Sequence, residues 1–344
     1  PDDARYSGFV GRRALLPIMN SEIPVIADAY VDPEFGTGAL KVTPAHDPFD
    51  FELARKHDLE IIDIMNPDGT LNALAGRYGG MDRNAARKRV VEELEKAGLL
   101  EKVEDYKLPL SKCERCETAI EPRISKQWFV RMRPLADPAL EVVRDGKVRI
   151  FPRRWVNLYN HWMENVRDWC ISRQLWWGHR IPVYYCASCY DPDNDDTEQG
   201  IMVSESRPAQ CANCGGADIY QDEDVLDTWF SSWIWPFATL GWPQDAEDFR
   251  RFYPTQTLVT GWDIIYLWVA RMIMAGLEFT QRPPFSDVAL HVMIRDARGR
   301  KMSKSLGNSP DPIELVDRYG ADALRFGLLL ITPREQDVLF SEKS

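Results

Sequence analysis

Lys301-Met302-Ser303-Lys304-Ser305, continued by Leu306-Gly307-Asn308, is the stretch from which the rest of the 344-residue chain is read. Two lysines three apart stand among small hydroxyl residues, bracketed by Gly299 and Gly307. That composition suits a mobile loop carrying two ammonium groups to an anion, although a plain solvated loop has the same make-up. Between Arg295 and Lys304 there are five Lys/Arg against one Asp/Glu, so the stretch is locally basic. Upstream, Ser286 to Arg295 reads as a strand that delivers the loop; downstream, Asp311 to Arg318 and Ala321 to Leu330 read as helices.

Working outward, Thr257 to Thr260 reads as a strand that Gly261-Trp262-Asp263 turns into a helix, Ile264 to Leu277. In open α/β sheets a strand running into a helix start is where ligands bind. Asp263 is well placed there to hydrogen-bond a sugar hydroxyl. Ile264, Leu267, Trp268 and Met272 recur on one helical face; Ile264 and Trp268 either wall an apolar pocket or pack into the core. Val225 to Phe230 reads as a buried strand end, followed by the aromatic run Trp229 to Trp235. Trp155, Tyr159, Trp162 and Met163 repeat at helical spacing and read as core. Asp168 to His179 reads as a strand leading into a loop.

Six of the seven cysteines form Cys-x-x-Cys pairs, and Cys170 stands alone. Cys186-x-x-Cys189 and Cys211-x-x-Cys214 are separated by 21 residues, the spacing of two thiolate knuckles that bring four ligands to one tetrahedral zinc. Four thiolates leave no open position, so a zinc there is structural rather than catalytic, and unmetallated thiols are the alternative. Cys113 and Cys116 make half a site, and are otherwise ordinary reduced thiols.

Nearer the start, Pro24 to Val31, Phe35 to Thr43 and Glu60 to Met65 read as strands, the second holding Gly36-Thr37-Gly38. Asp47 and Pro48 have the types of an N-cap and first helical position, for a helix running to about His57 with Asp50 one turn in. Asn66-Pro67-Asp68-Gly69 reads as a turn, and Met81 to Lys96 as a helix stopped by Gly98. Lys41, Thr43, Asp47 and Asp50 would converge where strand meets helix, able to bind an amino group and position water. The plainer alternative is that Asp47 only caps and Asp50 is solvated.

The totals bound the class. With 44% hydrophobic and 28% charged residues the chain has a soluble globular composition, and its longest apolar runs, such as Gly327 to Ile331, are far short of a membrane span. A net charge of −11 argues against a protein that coats nucleic acid, yet Arg123 to Arg154 carries nine Lys/Arg against three Asp/Glu. Basic patches on an acidic body fit contact with nucleic acid at chosen places.

Taken together, Asp168 to His179, Asp224 to Ser232, Gly261 to Arg271 and Arg298 to Asn308 resemble the valyl-tRNA synthetases, and Gly36 to Asp50 resembles the editing domain inserted into them. Isoleucyl and leucyl enzymes share the Ile-Ser-Arg-Gln and Lys-Met-Ser-Lys patterns. Gln174-Leu175-Trp176-Trp177-Gly178-His179 and Pro44-Ala45-His46-Asp47-Pro48 are closer to the valyl branch. The resemblance implies an α/β fold: a Rossmann-type class I catalytic half with a partial α/β editing domain and a zinc-ribbon insertion. It places the editing part at 1–110, a connective segment at 111–154, and the catalytic half at 155–308. Within that half lie a ribbon at 184–220 and the lysine loop at 301–305, and a helical stem-contact segment begins at 309–344.

The implied activity is ATP-dependent activation of valine and its transfer to tRNA(Val), with hydrolysis of mischarged threonyl-tRNA(Val). Lys301, Ser303 and Lys304 would contact the ATP phosphates, with Mg2+ accompanying ATP, and Asp263 would lie at the nucleotide. Trp229, Ile264 and Trp268 would line the valine pocket. Phe35, Lys41, Thr43, Asp47 and Asp50 would hold the mischarged aminoacyl end. A cytoplasmic monomer with structural Zn2+ and no membrane partner is implied. Departures also count. The chain starts at Pro1 and contains no His-x-Gly-His motif, the other half of such an ATP site, so an inactive internal fragment is the expectation. Ser232-Trp233-Ile234-Trp235 puts a tryptophan where relatives carry a small residue. An isoleucyl-type synthetase, a free-standing tRNA-editing hydrolase and a noncatalytic zinc-ribbon or tRNA-binding module are the competing readings.

Overall fold

The structure, a computed structural model, describes all residues except 1–2, 114–115, 193, 195–197, 304–305, 333–335 and 342–344. It divides into two units, residues 1–126 and 127–344. Among the described residues no helix is long and apolar enough to cross a membrane.

In the first unit a short hairpin pairs Arg13–Leu16 with Ser21–Pro24, antiparallel. The helix Pro48–His57 begins as its sequence dictates: the Asp47 carboxylate accepts from Phe49 N and Asp50 N, and Pro48 fills the first turn, where its missing N–H costs nothing. A second helix, Arg83–Lys96, is capped by Asp82 and followed by Gly98 in the left-handed region. Leu71, Ala75, Tyr78 and Ala86 form a small core. The strands expected over 24–31, 35–43 and 60–65 are corrected here: beyond Pro24 the first two are turns and unpaired chain, and the third holds only the bridge Met65–Leu71. Local polar contacts have displaced ladder pairing. Asp28 accepts from Tyr30 N and Asp32 from Glu34 N, both at 2.9 Å. Gly36 and Gly38 turn the chain with φ of 58° and 75°. At Gly38 a Cβ would lie 2.9 Å from the Pro33 carbonyl oxygen, so only glycine fits.

The second unit is built on three parallel strands, with Phe285–His291 between Thr255–Gly261 and Arg149–Phe151. The central strand buries Phe285, Val288 and Leu290, consistent with a strand covered on both faces. The helices Arg133–Arg144, Arg154–Glu164 and Arg271–Thr280 belong to the same core, contributing Ala139, Tyr159, Met163, Met272 and Ile273. Trp162 departs from the expected core stripe. It is 45% exposed and stacks on Tyr266, with ring centroids 4.8 Å apart, because Tyr159 and Met163 take the inward positions of their helix. The expected strand 225–230 ends at Leu226, where Asp227 caps the helix Thr228–Ser232. The expected helix from Ile264 opens with a 3-10 turn, Trp262–Ile264, and a π-helical segment, Ile265–Ala270, before Arg271–Thr280. The strand expected over 286–295 is two strands, Phe285–His291 and Ile294–Asp296. Val183–Cys186 pairs antiparallel with both Ile201–Val203 and Ile219–Gln221, forming the ribbon.

Candidate functional site

The parallel strand Thr255–Gly261 runs straight into Trp262 and Asp263, which puts Asp263 at the carboxyl end of the sheet. Gly261 lets the Asp263 carboxylate come close to the backbone, since a Cβ would meet Asp263 Oδ1 at 2.7 Å and Met293 Sδ at 3.1 Å and displace those side chains. Across from it, Lys301 Nζ lies 3.3 Å from Asp263 Oδ2. Residues 38 apart in sequence thus meet at the sheet end. The lysine side chain is 73% exposed, so this ion pair is weak and the ammonium remains available to another anion. Ser303 lies two residues on, half-buried, and its N–H donates to Asn308 Oδ1. Lys304 and Ser305 lie outside the described residues.

Trp229, Ile264 and Trp268 are all half-buried. Trp229 sits in the first turn of Thr228–Ser232, whose last carbonyl, Ser232 O, accepts from Trp268 Nε1 at 3.0 Å. Asp227 fixes this arrangement. Its buried carboxylate accepts from Trp229 N, from Trp169 Nε1 and from Arg173 Nη2. The Arg271 guanidinium stacks on Trp169 at 3.6 Å from the ring centroid, its Nε and Nη1 buried without an acceptor, and burial lowers its pKa. Trp233 turns into the core edge-on to Trp169, whereas Trp235 is exposed and lies edge-on to Trp268.

A second polar centre supports the lysine loop. Asp337 accepts from Trp262 Nε1 and Met293 N, both at 3.0 Å, and from Arg295 Nε at 2.5 Å. Burial alone would raise its pKa; the Arg295 guanidinium and the Trp262 and Met293 N–H groups outweigh it and lower it. Asp227, Asp296, Asp337 and Arg271 were not singled out from sequence. Asn308 was seen only as the end of the loop.

Cys186, Cys189, Cys211 and Cys214 form, among the described residues, the one His/Cys/Asp/Glu group able to hold a metal ion, their sulfurs all within 4.8 Å of one another. Neighbouring sulfurs are 3.5–3.7 Å apart. A zinc with Zn–S bonds of about 2.3 Å sets tetrahedral sulfurs about 3.8 Å apart, so the four residues fit that ion. Asn213 N donates to Cys211 Sγ and Gly216 N to Cys214 Sγ, both at 3.4 Å. The Cys214 and Asn213 N–H groups pull the Cys211 thiol down to about 7, whereas Cys214 and burial push Cys189 up. Four sulfurs at this spacing repel as thiolates, and a dication removes the conflict. Cys113 and Cys116 sit at a turn where Cys113 N donates to Thr118 O and Cys116 Sγ to Thr118 Oγ1.

In the first unit, Thr43 N donates to the buried Asp50 carboxylate at 2.6 Å, and Lys41 Nζ to Thr43 Oγ1 at 2.9 Å. Asp50 is therefore not solvated, and Asp47 spends one oxygen on the helix cap. Phe35 is 69% exposed. Lys41, Thr43 and Asp50 are joined by contacts; nothing bonds Phe35 to them among the contacts described.

Similarity to known proteins agrees with this geometry. Residues 28–341 match the model of the tRNA synthetases class I (I, L, M and V). The chain is 53% identical over 338 residues to the valine–tRNA ligase of Thermotoga maritima, covering 98% of this chain and 38% of that protein. It is 55% identical over 329 residues to that of Clostridium perfringens, covering 96% and 36%. The chain thus spans little more than a third of the length of these relatives. A solved Mycobacterium tuberculosis methionyl-tRNA synthetase in complex with methionyl-adenylate is similar at a TM-score of 0.46 and 24% identity, covering 68% of this chain and 39% of that one. The parallel sheet with a basic loop at its carboxyl end, and a family match over residues 28–341, have one conclusion: the chain belongs to the class I tRNA synthetases of the isoleucine, leucine, methionine and valine group.

Proposed function

We propose that this chain serves a valine–tRNA ligase, in which the valine carboxylate takes the adenylyl group of ATP with release of pyrophosphate, and the valyl group then passes to tRNA(Val) with release of AMP. The observation that carries the reading is the meeting of Lys301 with Asp263 at the carboxyl end of the parallel strand Thr255–Gly261. Asp263 holds the nucleotide sugar. Lys301, Ser303 and, by its place in the sequence, Lys304 are assigned to the phosphates, where positive charge gains most as pyrophosphate develops in the transition state. Mg2+ accompanies the ATP phosphates and shares that charge. Trp229, Ile264 and Trp268 form the apolar wall against the valine side chain. Zn2+ on the four ribbon cysteines is structural.

The test is valine-dependent ATP–pyrophosphate exchange in the full-length protein. Lys301→Ala should slow exchange on the order of 100-fold while leaving the valine KM within about twofold. Exchange that ignores valine would end the valine reading, and an unaltered rate in Lys301→Ala would remove that lysine from the site.

A second reaction is favoured by the first unit. An apolar pocket rejects an isostere bearing a hydroxyl by only about a hundredfold, as is established for valyl enzymes facing threonine. Phe35, Lys41, Thr43, Asp47 and Asp50 supply what such a pocket lacks: an ammonium, a hydroxyl and carboxylates on one short path, with an exposed aromatic beside them in sequence. We assign them to hydrolysis of threonyl-tRNA(Val). Asp50→Ala should let that product accumulate, and undiminished deacylation would take Asp50 out of the reaction.

A further inference from the structure

Asp296 ends the short strand Ile294–Asp296, and it is buried. Its Oδ1 accepts from Arg298 N at 3.0 Å and Arg300 N at 2.9 Å; its Oδ2 accepts from Arg300 Nε at 2.8 Å and Asn308 Nδ2 at 2.9 Å. The Asn308 amide is used on both sides. Nδ2 also donates to Lys301 O at 3.2 Å, and Oδ1 accepts from Ser303 N at 2.9 Å. Two acceptors on one side and a donor on the other leave a single workable orientation of that amide.

We propose that Asp296 and Asn308 form a clasp that closes the base of the lysine loop and sets Lys301 toward the nucleotide. They are positioning residues for phosphate-side chemistry, an inference that rests on the ligase reading above. The clasp continues to the far side of the site. Arg295, next to Asp296, pairs with Asp337, and Asp337 also holds Trp262, the residue before Asp263. Sugar-side carboxylate and phosphate-side ammonium are therefore tied to one frame by side-chain hydrogen bonds, added to the stacking of Trp262 on Trp155. Fixed donors aimed at developing charge need no reorganisation when the reaction occurs, and a displacement of about 1 Å can cost on the order of 100-fold in rate. Both polar atoms of the Asn308 amide are engaged within the protein, so its action passes through Lys301 and Ser303.

The experiment compares Asn308→Ala, Asn308→Asp and Lys301→Ala with the parent full-length protein, checking zinc content and thermal midpoint for intact folding. Two readouts are needed: hydrogen exchange at the Ser303 amide, and ATP–pyrophosphate exchange at varied ATP and valine. With the clasp real, Asn308→Ala raises exchange at Ser303 about tenfold or more and lowers kcat by about 10–100-fold, with the valine KM within twofold. Asn308→Asp keeps the acceptor for Ser303 N but sets a carboxylate against Asp296, so it loses rate while retaining more amide protection than Asn308→Ala. An unchanged Ser303 amide in Asn308→Ala, or a fast amide with parental kcat, overturns the clasp's role. Failure of the ligase reading looks different: parent exchange is then independent of valine or insensitive to Lys301→Ala, whatever the Ser303 amide does, and the positioning role falls with it.

Discussion

The two units hold their candidate residues in opposite ways. In residues 127–344 Asp263 and the aromatic site residues project from the rim of a continuous core: Asp263 follows the buried Thr260 and Gly261, and Trp229 and Trp268 pack against the core that holds Trp233 and Val269. In residues 1–126 the largest buried cluster is Leu71, Ala75, Tyr78 and Ala86, and Lys41, Thr43 and Asp50 are joined by hydrogen bonds to one another. Packing distributes support over many weak contacts, whereas a polar arrangement concentrates it in a few. Single truncations in that core should therefore shift the stability of the second unit without erasing its geometry, the polar clasp at the lysine loop excepted. In the first unit, small changes in stability should accompany large changes at the site.

The largest expected effect lies outside that contrast, in the ribbon. Its buried apolar residues are few, and its four sulfurs converge on one point. Chelating the metal or making Cys211→Ser should unfold residues 183–221, since binding free energy in such sites is folding free energy. Zinc analysis of the parent protein should give about one tightly held ion per chain. Four thiols freely alkylated in the untreated protein, with no metal, would dismiss the site.

Next in size is a cavity in the second unit. Phe237 is fully buried and meets Trp242 and Tyr253 edge-on. Phe237→Ala should cost about 3–5 kcal/mol in denaturant unfolding followed by tryptophan emission, with valine KM changed little in whatever remains folded. A loss below about 1 kcal/mol would mean that the core is less continuous than its burial implies.

Smaller again is a polar tie in the first unit. Asp28 accepts from Lys56 Nζ and His57 Nε2, each at 2.7 Å, and joins the chain leading to Phe35 to the last turn of Pro48–His57. Lys56 first, then His57 and Tyr30 N, hold its carboxyl well below the ordinary value. A depressed folded-state pKa gives stability that is complete above the ordinary Asp range, about 3.9, and is lost as pH falls from there. Asp28→Asn should weaken protection of the Tyr30 amide at neutral pH and flatten its decline below about pH 4. An acid limb identical in the variant would place the titration elsewhere.

How far such features could be read from sequence depended on range. The cap of Pro48–His57 was legible to the residue because Asp47 and Pro48 act on their own turn. The four ribbon cysteines were legible because the spacing itself is the ligand geometry. Asp263 was legible because a Gly-Trp-Asp step after an apolar run marks the sheet end. The strands expected over 24–43 failed because strand pairing needs a distant partner, while Asp28, Asp32 and the glycines satisfied the backbone at home. Asp227 escaped notice for the converse reason: Trp169 and Arg173, its partners, are 58 and 54 residues away. Asn308 lay in plain view in the loop, yet its task exists only once the chain folds back on Asp296.

Phe35 gives the smallest stability effect and the sharpest form of the comparison. Its ring is 69% exposed, so Phe35→Ala removes little buried area and should change unfolding free energy by less than about 0.5 kcal/mol. If the editing assignment is right, the same variant should slow hydrolysis of threonyl-tRNA(Val) by tenfold or more, about 1.4 kcal/mol, because an aromatic face left open to water gains most by covering a ligand. Deacylation at the parental rate would make Phe35 an ordinary exposed aromatic. A stability loss of 2 kcal/mol or more, on the order of a core truncation, would mean instead that the ring is covered in solution and that the first unit rests on packing after all.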